Sequence, residues 1–300
     1  MGAMRSGTLS MSGSARFSDY LELTKPRLSL LSVLTALAGY LAVRSPGDGT
    51  RLLCVIAGTS LAAGGVAALN QWLEFDTDAQ MQRTSHRPIP SGKISTGSAF
   101  VLGSLMCVAA LMIMFAGTGP LAALFTLLTI LTYLGWYTPA KRWSRWSTEI
   151  GAIAGALPPL IGWSAGQGSV SSLGWILFGF LYFWQMPHFM ALAWIYRRDY
   201  SAVHFPMPTV TDESGRVAAR WSFVNTLLLV AISLLPVFLH LDSAAYAAVA
   251  GIAGAWFLWR AIAFLRVPGR DVAARRLFLA SIAYLPLTLG ALVVDRMVFH

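Results

Sequence analysis

Nine apolar runs, most of them about twenty residues long, follow one another along this chain, and a bilayer core asks for about that length per helix. They lie near 28–43, 51–72, 98–117, 119–138, 148–166, 171–196, 219–239, 243–266 and 274–298. Composition agrees. Charged residues make up 12% of the 300, about half the share typical of soluble domains, and AVILMFWYC make up 56%. With a mean hydropathy of +0.62, too little polar side chain remains to cover a water-facing surface. Disorder needs the opposite balance of hydrophobicity and charge. The expected fold is an all-α integral membrane bundle of about nine transmembrane helices. The first and fifth runs are the weakest. The fifth carries Pro158-Pro159, which breaks the helical ladder unless neighbours satisfy the freed carbonyls. It also carries Gly151 and Gly155 in a spacing that suits close helix contact.

Basic residues test that count. With the N-terminus on the cytoplasmic side, eighteen of the 22 fall on one face. They are Arg5, Arg16, Lys25 and Arg27 in the tail; Arg83, Arg87 and Lys93; Lys141, Arg142 and Arg145; Arg197, Arg198, Arg216 and Arg220; and Arg266, Arg270, Arg275 and Arg276. The other side keeps Arg44, Arg51 and Arg296, with Arg260 inside a span. Dropping any internal span would scatter this pattern, so the asymmetry supports both parity and orientation: N-terminus in, C-terminus out. The net charge of +9 is therefore topological, and nucleic-acid binding has no support. Residues 1–18 lack the apolar stretch of a signal peptide and read as a flexible cytoplasmic tail. Residues 19–300 read as one transmembrane domain. Cys54 and Cys107 lie in apolar runs without metal-ligand spacing and read as small buried residues.

Two loops on the basic side, 73–97 and 197–218, are long and polar, and long loops in compact proteins are usually functional. The first opens with Asn70, Glu74 and Asp78, which recur every four residues and on a helix share one face, with Asp76 between them. An acidic run of this kind is either a solvated loop or a cation site. Its place at a membrane helix end, with Asn70 one turn deeper, favours the cation. Oxygen ligands without Cys or His point to Mg2+, which binds through one or two carboxylates plus substrate phosphates. An EF-hand is excluded, because Met81 stands where Gly is required and Arg87 where Glu is required.

The sixth run holds Trp184-Gln185-Met186-Pro187-His188, with Arg197, Arg198 and Asp199 beyond its end. An ionisable residue inside a membrane is a functional candidate, although a lone buried His also serves as a hydrogen-bonded packing residue. His188 lies about 16 Å of helix rise from Asp199, a separation suited to a long ligand with a polar end at the mouth. Lys141 and Arg142 follow Tyr137-Thr138-Pro139. With Arg83, Arg87, Arg197 and Arg198 they ring a carboxylate centre with cations, as a Mg2+-chelated diphosphate requires.

Together these stretches resemble the UbiA-type intramembrane prenyltransferases. The resemblance rests on Thr24-Lys25-Pro26-Arg27, the Asn70 to Asp78 run with Arg83-Thr84 and Arg87-Pro88, and Tyr137-Thr138. It extends to Gly155-Ala156 with Pro158-Pro159 and Gly162, and spans residues 20 to 290. Phe183 to His188, with Asp199-Tyr200 and Pro206, resembles the haem-prenylating branch rather than the quinone branch. Glu74 departs from the family's usual Asp, and Val203 stands where many members carry a second acid, which leaves Arg197, Arg198 or His204 to bind phosphate there.

The resemblance implies transfer of a farnesyl group from farnesyl diphosphate to a vinyl group of haem B, with water adding to give haem O. It implies Mg2+ on Glu74, Asp78 and Asp199, with Asn70 alongside, and diphosphate on Arg83, Arg87, Lys141, Arg142, Arg197 and Arg198. Haem falls to His188 and Trp184, His188 either ligating the iron or orienting the water. Trp72, Tyr137, Tyr182 and Trp184 are candidates to line a dry pocket for the allylic cation. Haem A synthase or terminal-oxidase assembly are the implied partners in a cell inner membrane. A prenyltransferase acting on an aromatic quinone precursor would need no haem-sized cavity. A transporter would place its site near the midplane on interrupted helices, whereas the acids here sit at one mouth.

Overall fold

A computed structural model describes residues 15–43 and 48–299. Residues 1–14, which hold Arg5 and most of the expected tail, lie outside the described residues, as do Arg44 to Gly47 and His300.

Helices α1 (Phe17–Thr24) and α2 (Pro26–Leu41) come first, so helix begins two residues inside the stretch expected as tail. Then follow α3 (Gly49–Leu73), the short α4 (Phe75–Asp78), α5 (Thr96–Thr118) and α6 (Pro120–Leu131). A π-helical segment (Thr132–Tyr137) leads into α7 (Thr138–Ala140), and α8 (Ser147–Ala156) and α9 (Pro158–Gln167) come next. Then come α10 (Ser172–Ile195), α11 (Arg197–Ala202), α12 (Pro208–Thr211), α13 (Arg216–Phe238), α14 (Ala244–Leu265) and α15 (Arg270–Phe299). Among the described residues there is no strand.

Among the described residues seven stretches are long and apolar enough to cross a membrane: α3, α5, Pro120–Ala140, α10, α13, α14 and α15. The two remaining runs are the two weakest in the sequence. The first forms only the 16-residue α2. The fifth breaks at Leu157 into α8 and α9, because Pro158 and Pro159 have no N–H to offer the carbonyls of Ala154 and Gly155. Pro159 and Gly162 then pack against α2. A Cβ on Gly162 would fall on the Ala36 carbonyl oxygen, and one on Gly39 would fall on that of Pro159. Only glycine lets these two backbones approach so closely.

Neighbouring helices pack antiparallel, α3 on α5, α10 on α13 and α15, α13 on α14 and α14 on α15, while α15 closes back on α2 in parallel. Within this ring, α9 touches α2, α3, α5, α6, α8 and α10. Its residues Pro158 to Gly166 are all buried. Alternation of direction sends the ends of α3, α7 and α10 and the starts of α2, α5, α8, α13 and α15 to one side of the bundle. The long loops gather there. At the other side Arg296 ties three elements by donating to the Ala42 and Leu241 carbonyls. Cys107 is buried and Cys54 half-buried, both free.

Candidate active site

The loop-bearing end is organised by the C-terminal end of α3. Glu74 leaves helical geometry, with φ −110° and ψ 11°, yet its N–H still bonds to the Asn70 carbonyl at 3.0 Å and that of Asp78 bonds to the Glu74 carbonyl at 2.8 Å. The four-residue spacing therefore keeps Asn70 and Glu74 together through the break. The Asn70 amide donates to Glu74 Oε2 at 2.9 Å and to Thr138 Oγ1 at 3.1 Å. Thr138 in turn donates to the Tyr133 carbonyl at 2.9 Å, across the π-helical turn. That turn precedes Pro139, which lacks a donor, and π-bulges of this kind recur at functional sites.

Lys141 completes the group. Its ammonium lies 2.9 Å from Glu74 Oε1 and 3.0 Å from Oε2, and 4.4 Å from the centre of the Tyr137 ring. Burial disfavours the charged amine, but the adjacent Glu74 carboxylate outweighs it and raises the Lys141 pKa above the ordinary lysine range. A second pair sits one turn on: Arg87 donates to Asp78 Oδ2 at 2.5 Å, and Thr84 donates to the Asp78 carbonyl at 2.8 Å. Side-chain exposures of 7% for Glu74 and 1% for Asp78 make these buried pairs, so removing one partner strands a charge. Arg142 and Asp76 also pair at 2.7 Å, but at 44% and 47% exposure that bridge is a weak surface contact.

Arg83 links this centre to α11. It donates to the Tyr200 hydroxyl at 3.4 Å and lies 5.2 Å from the Tyr196 ring. Asp199, beside Tyr200, is half-buried. Among the described residues no three His, Cys, Asp or Glu side chains gather into a metal-holding group, so Asp199 does not join Glu74 and Asp78 directly. The straight helical rise expected between His188 and Asp199 is also interrupted, since α10 ends at Ile195 and α11 starts afresh. Arg197 turns away from the carboxylates: it lies 3.3 Å from Asp271 and over the Trp194 ring. Arg198 lines a separate cavity of about 200 Å³ with Trp194, Asp271 and Arg275.

Deeper along α10, His188 stacks on Trp184 with centroids 4.9 Å apart and lies as close to Phe278. Trp184 donates to the Ser281 carbonyl at 2.8 Å. His188 Nδ1 is 2.7 Å from Ser281 Oγ, whose own proton goes to the Phe278 carbonyl at 2.6 Å. Ser281 therefore accepts from His188, which assigns the proton to Nδ1 and leaves Nε2 with its lone pair. Of the aromatic candidates, only Tyr137 borders the lysine–carboxylate group. Trp72 packs on Phe100, and Tyr182 on Phe178 and Phe183.

Lys25 enters the site as well, a residue read from the sequence as topological charge and as part of the Thr24-Lys25-Pro26-Arg27 stretch but not as a ligand of phosphate. It occupies the left-handed region at φ 47° immediately before Pro26, which disfavours the right-handed helical region for the residue before it. Its amine has no hydrogen bond or ion pair with any described residue. Burial, and then Arg87 and Lys141, depress its pKa to about 7, against the pull of Asp78 and Glu74. The available signal was Pro26, which fixes the residue before it at a helix start.

Two buried carboxylates, Glu74 and Asp78, thus stand among cations at the loop-bearing end of the bundle. The chain belongs to the UbiA prenyltransferase family, whose model matches residues 31–282. It is 67% identical over 284 residues to a protoheme IX farnesyltransferase of Opitutus terrae, covering 95% of this chain and 96% of that one. With the protein of the same name from Salinibacter ruber it shares 40% over 278 residues, covering 92% and 98%. Solved structures share the fold at low identity. A structure of digeranylgeranylglyceryl phosphate synthase gives a TM-score of 0.79 at 17% identity over 93% of this chain and 98% of that one. A UbiA homolog from Archaeoglobus fulgidus bound to GPP and Mg2+ gives 0.65 at 13%, over 91% and 99%.

Proposed function

We propose that this integral membrane prenyltransferase moves a farnesyl group from farnesyl diphosphate to a vinyl group of haem B, adding water to give haem O and diphosphate. The observation that carries the substrates is the 67% identity, along nearly the whole chain, to a protein of that named activity. The geometry supports the choice of residues.

The diphosphate end belongs at the mouth, where Lys25, Arg87 and Lys141 stand about Glu74 and Asp78 and Arg83 reaches toward Tyr196 and Tyr200. Mg2+ fits this donor set, since two carboxylates supply part of an octahedral shell and diphosphate oxygens the rest. Glu74, just past the end of α3, and Asp78 of α4 would hold it, and Asp199 of α11 would supply a further carboxylate. Bound there, the ion would neutralise charge on the departing diphosphate. Lys25 has no competing partner, so its amine is free to pair with a phosphate oxygen, whereas Lys141 and Arg87 must share theirs with carboxylates. Arg142, Arg197 and Arg198 would contribute at longer range.

When the allylic C–O bond breaks, its electron pair leaves with the diphosphate. The vinyl group then forms the new C–C bond, and water captures the cation beside the porphyrin with loss of a proton. Tyr137 faces the first cation, and the Lys141–Glu74 pair keeps the mouth ordered. His188 and Trp184 would meet the porphyrin. Nδ1–H of His188 is anchored on Ser281, the second-sphere arrangement that orients a ligating imidazole, and Nε2 keeps the lone pair needed for iron or for water. The basic-residue asymmetry supports a mouth on the cytoplasmic side of a cell inner membrane.

Mass spectrometry of haem extracted from membranes expressing the chain tests the reading. Haem O is the expected product. Haem B alone, with a prenylated quinone precursor in its place, would overturn it.

A further inference from the structure

On the outer wall of the bundle, away from the carboxylate mouth, α14 and α15 enclose a groove of about 620 Å³ lined by Trp256, Arg260, Arg276, Leu279, Ala280 and Ala283. Arg260 lies about 7.5 Å of helix rise before the end of α14, and Arg276 about 9 Å after the start of α15. Because the two helices pack side by side in opposite directions, the two arginines leave their helices at matching depth and line the same groove. Neither has a hydrogen bond or ion pair with another described residue, although Arg260 lies 4.3 Å from the Trp259 ring centre. The acids in reach are already committed. Asp271 accepts from Trp194 at 2.7 Å and pairs with Arg197, and the only other acid of the two helices, Asp295, bonds to Ser243 at the far end. Arg260 inside its span, with Arg276 beside it at the end of the groove, is costly to leave unpaired unless an anion meets the two.

We infer that this groove binds the headgroup of an anionic glycerophospholipid. The phosphate bridges Arg260 and Arg276, the indole of Trp256 lies at headgroup level, and an acyl chain runs along Leu279 and Ala283. A phosphate oxygen pair matches two guanidinium forks, and Trp and Arg are the anchors expected at a membrane interface.

Native mass spectrometry of the full chain, released from nanodiscs of equal phosphatidylglycerol and phosphatidylcholine, reads the retained lipid. The wild type should keep phosphatidylglycerol preferentially. Arg260→Gln with Arg276→Gln should lower that preference by about tenfold, while Arg266→Gln with Arg275→Gln, which removes the same charge beside the groove, should not. An equal fall in both pairs would reduce the effect to a general basic surface and overturn the site. So would an unchanged ratio in the first pair, or displacement of the lipid by added farnesyl diphosphate. Should the first pair not fold, the single Arg276→Gln variant, at the exposed rim, carries the same comparison.

Discussion

Lys141 grips both carboxylate oxygens of Glu74, at 2.9 and 3.0 Å, from the far side of a π-helical turn. The pair joins the end of α3 to the start of the α7–α8 connection, so a charge on one polar loop orders the other. Neutralising it should cost function before it costs the fold.

Glu74→Gln and Asp78→Asn should each lower haem O formation by about 100-fold or more while the protein stays folded in the membrane. Both amides keep size and remove charge, so Mg2+-dependent binding of farnesyl diphosphate should weaken in step. Near-normal turnover in both variants would refute the assignment of these carboxylates.

Lys25 sets a pH signature. Its folded pKa of about 7 lies below the ordinary lysine value, so between roughly pH 7 and pH 10.5 the unfolded chain holds the extra proton and folding stability rises with pH across that window. A bound diphosphate reverses the repulsion from Arg87 and Lys141. At pH 8 binding should therefore take up as much as about one proton per site. Calorimetry in buffers of different ionisation enthalpy measures this, and Lys25→Met should abolish the uptake while leaving the carboxylates in place.

His188→Ala should lower haem affinity or haem O formation and spare farnesyl diphosphate binding, because the phosphate end lies at the mouth. Ser281→Ala should shift haem affinity in the same direction by freeing the ring. Titrating each substrate separately decides it; equal loss of both affinities would speak for packing alone.

Gly162→Ala places a methyl group on the Ala36 carbonyl and should destabilise the folded protein by about 1–3 kcal/mol. A lowered melting temperature in detergent is the readout, against Gly251→Ala, where a Cβ meets nothing within 4 Å.

A reporter fused after His300 should be active in its periplasmic form. Activity of only a cytoplasmic reporter there would overturn the orientation drawn from the basic residues.

Most of this architecture was legible because lipid imposes a length on every span, and seven runs met it as single stretches. The two that did not, α2 and the α8–α9 pair, owe their shape to Pro158, Pro159 and the glycine contacts, whose outcome depends on what packs against them. Spacing within one helix revealed Asn70 and Glu74. It could not reveal that Lys141 closes on Glu74, that Arg197 turns to Asp271, or that Lys25 stands unpaired, since each depends on elements distant in the chain.

The buried run of α9 has a consequence for the cell as well as for the fold. Pro158 to Gly166 are buried in succession and most of them are apolar, so this part of the bundle offers few groups along which water or protons could be relayed. A charged mouth can thus sit in an energised membrane with no polar path continuing beneath it along α9.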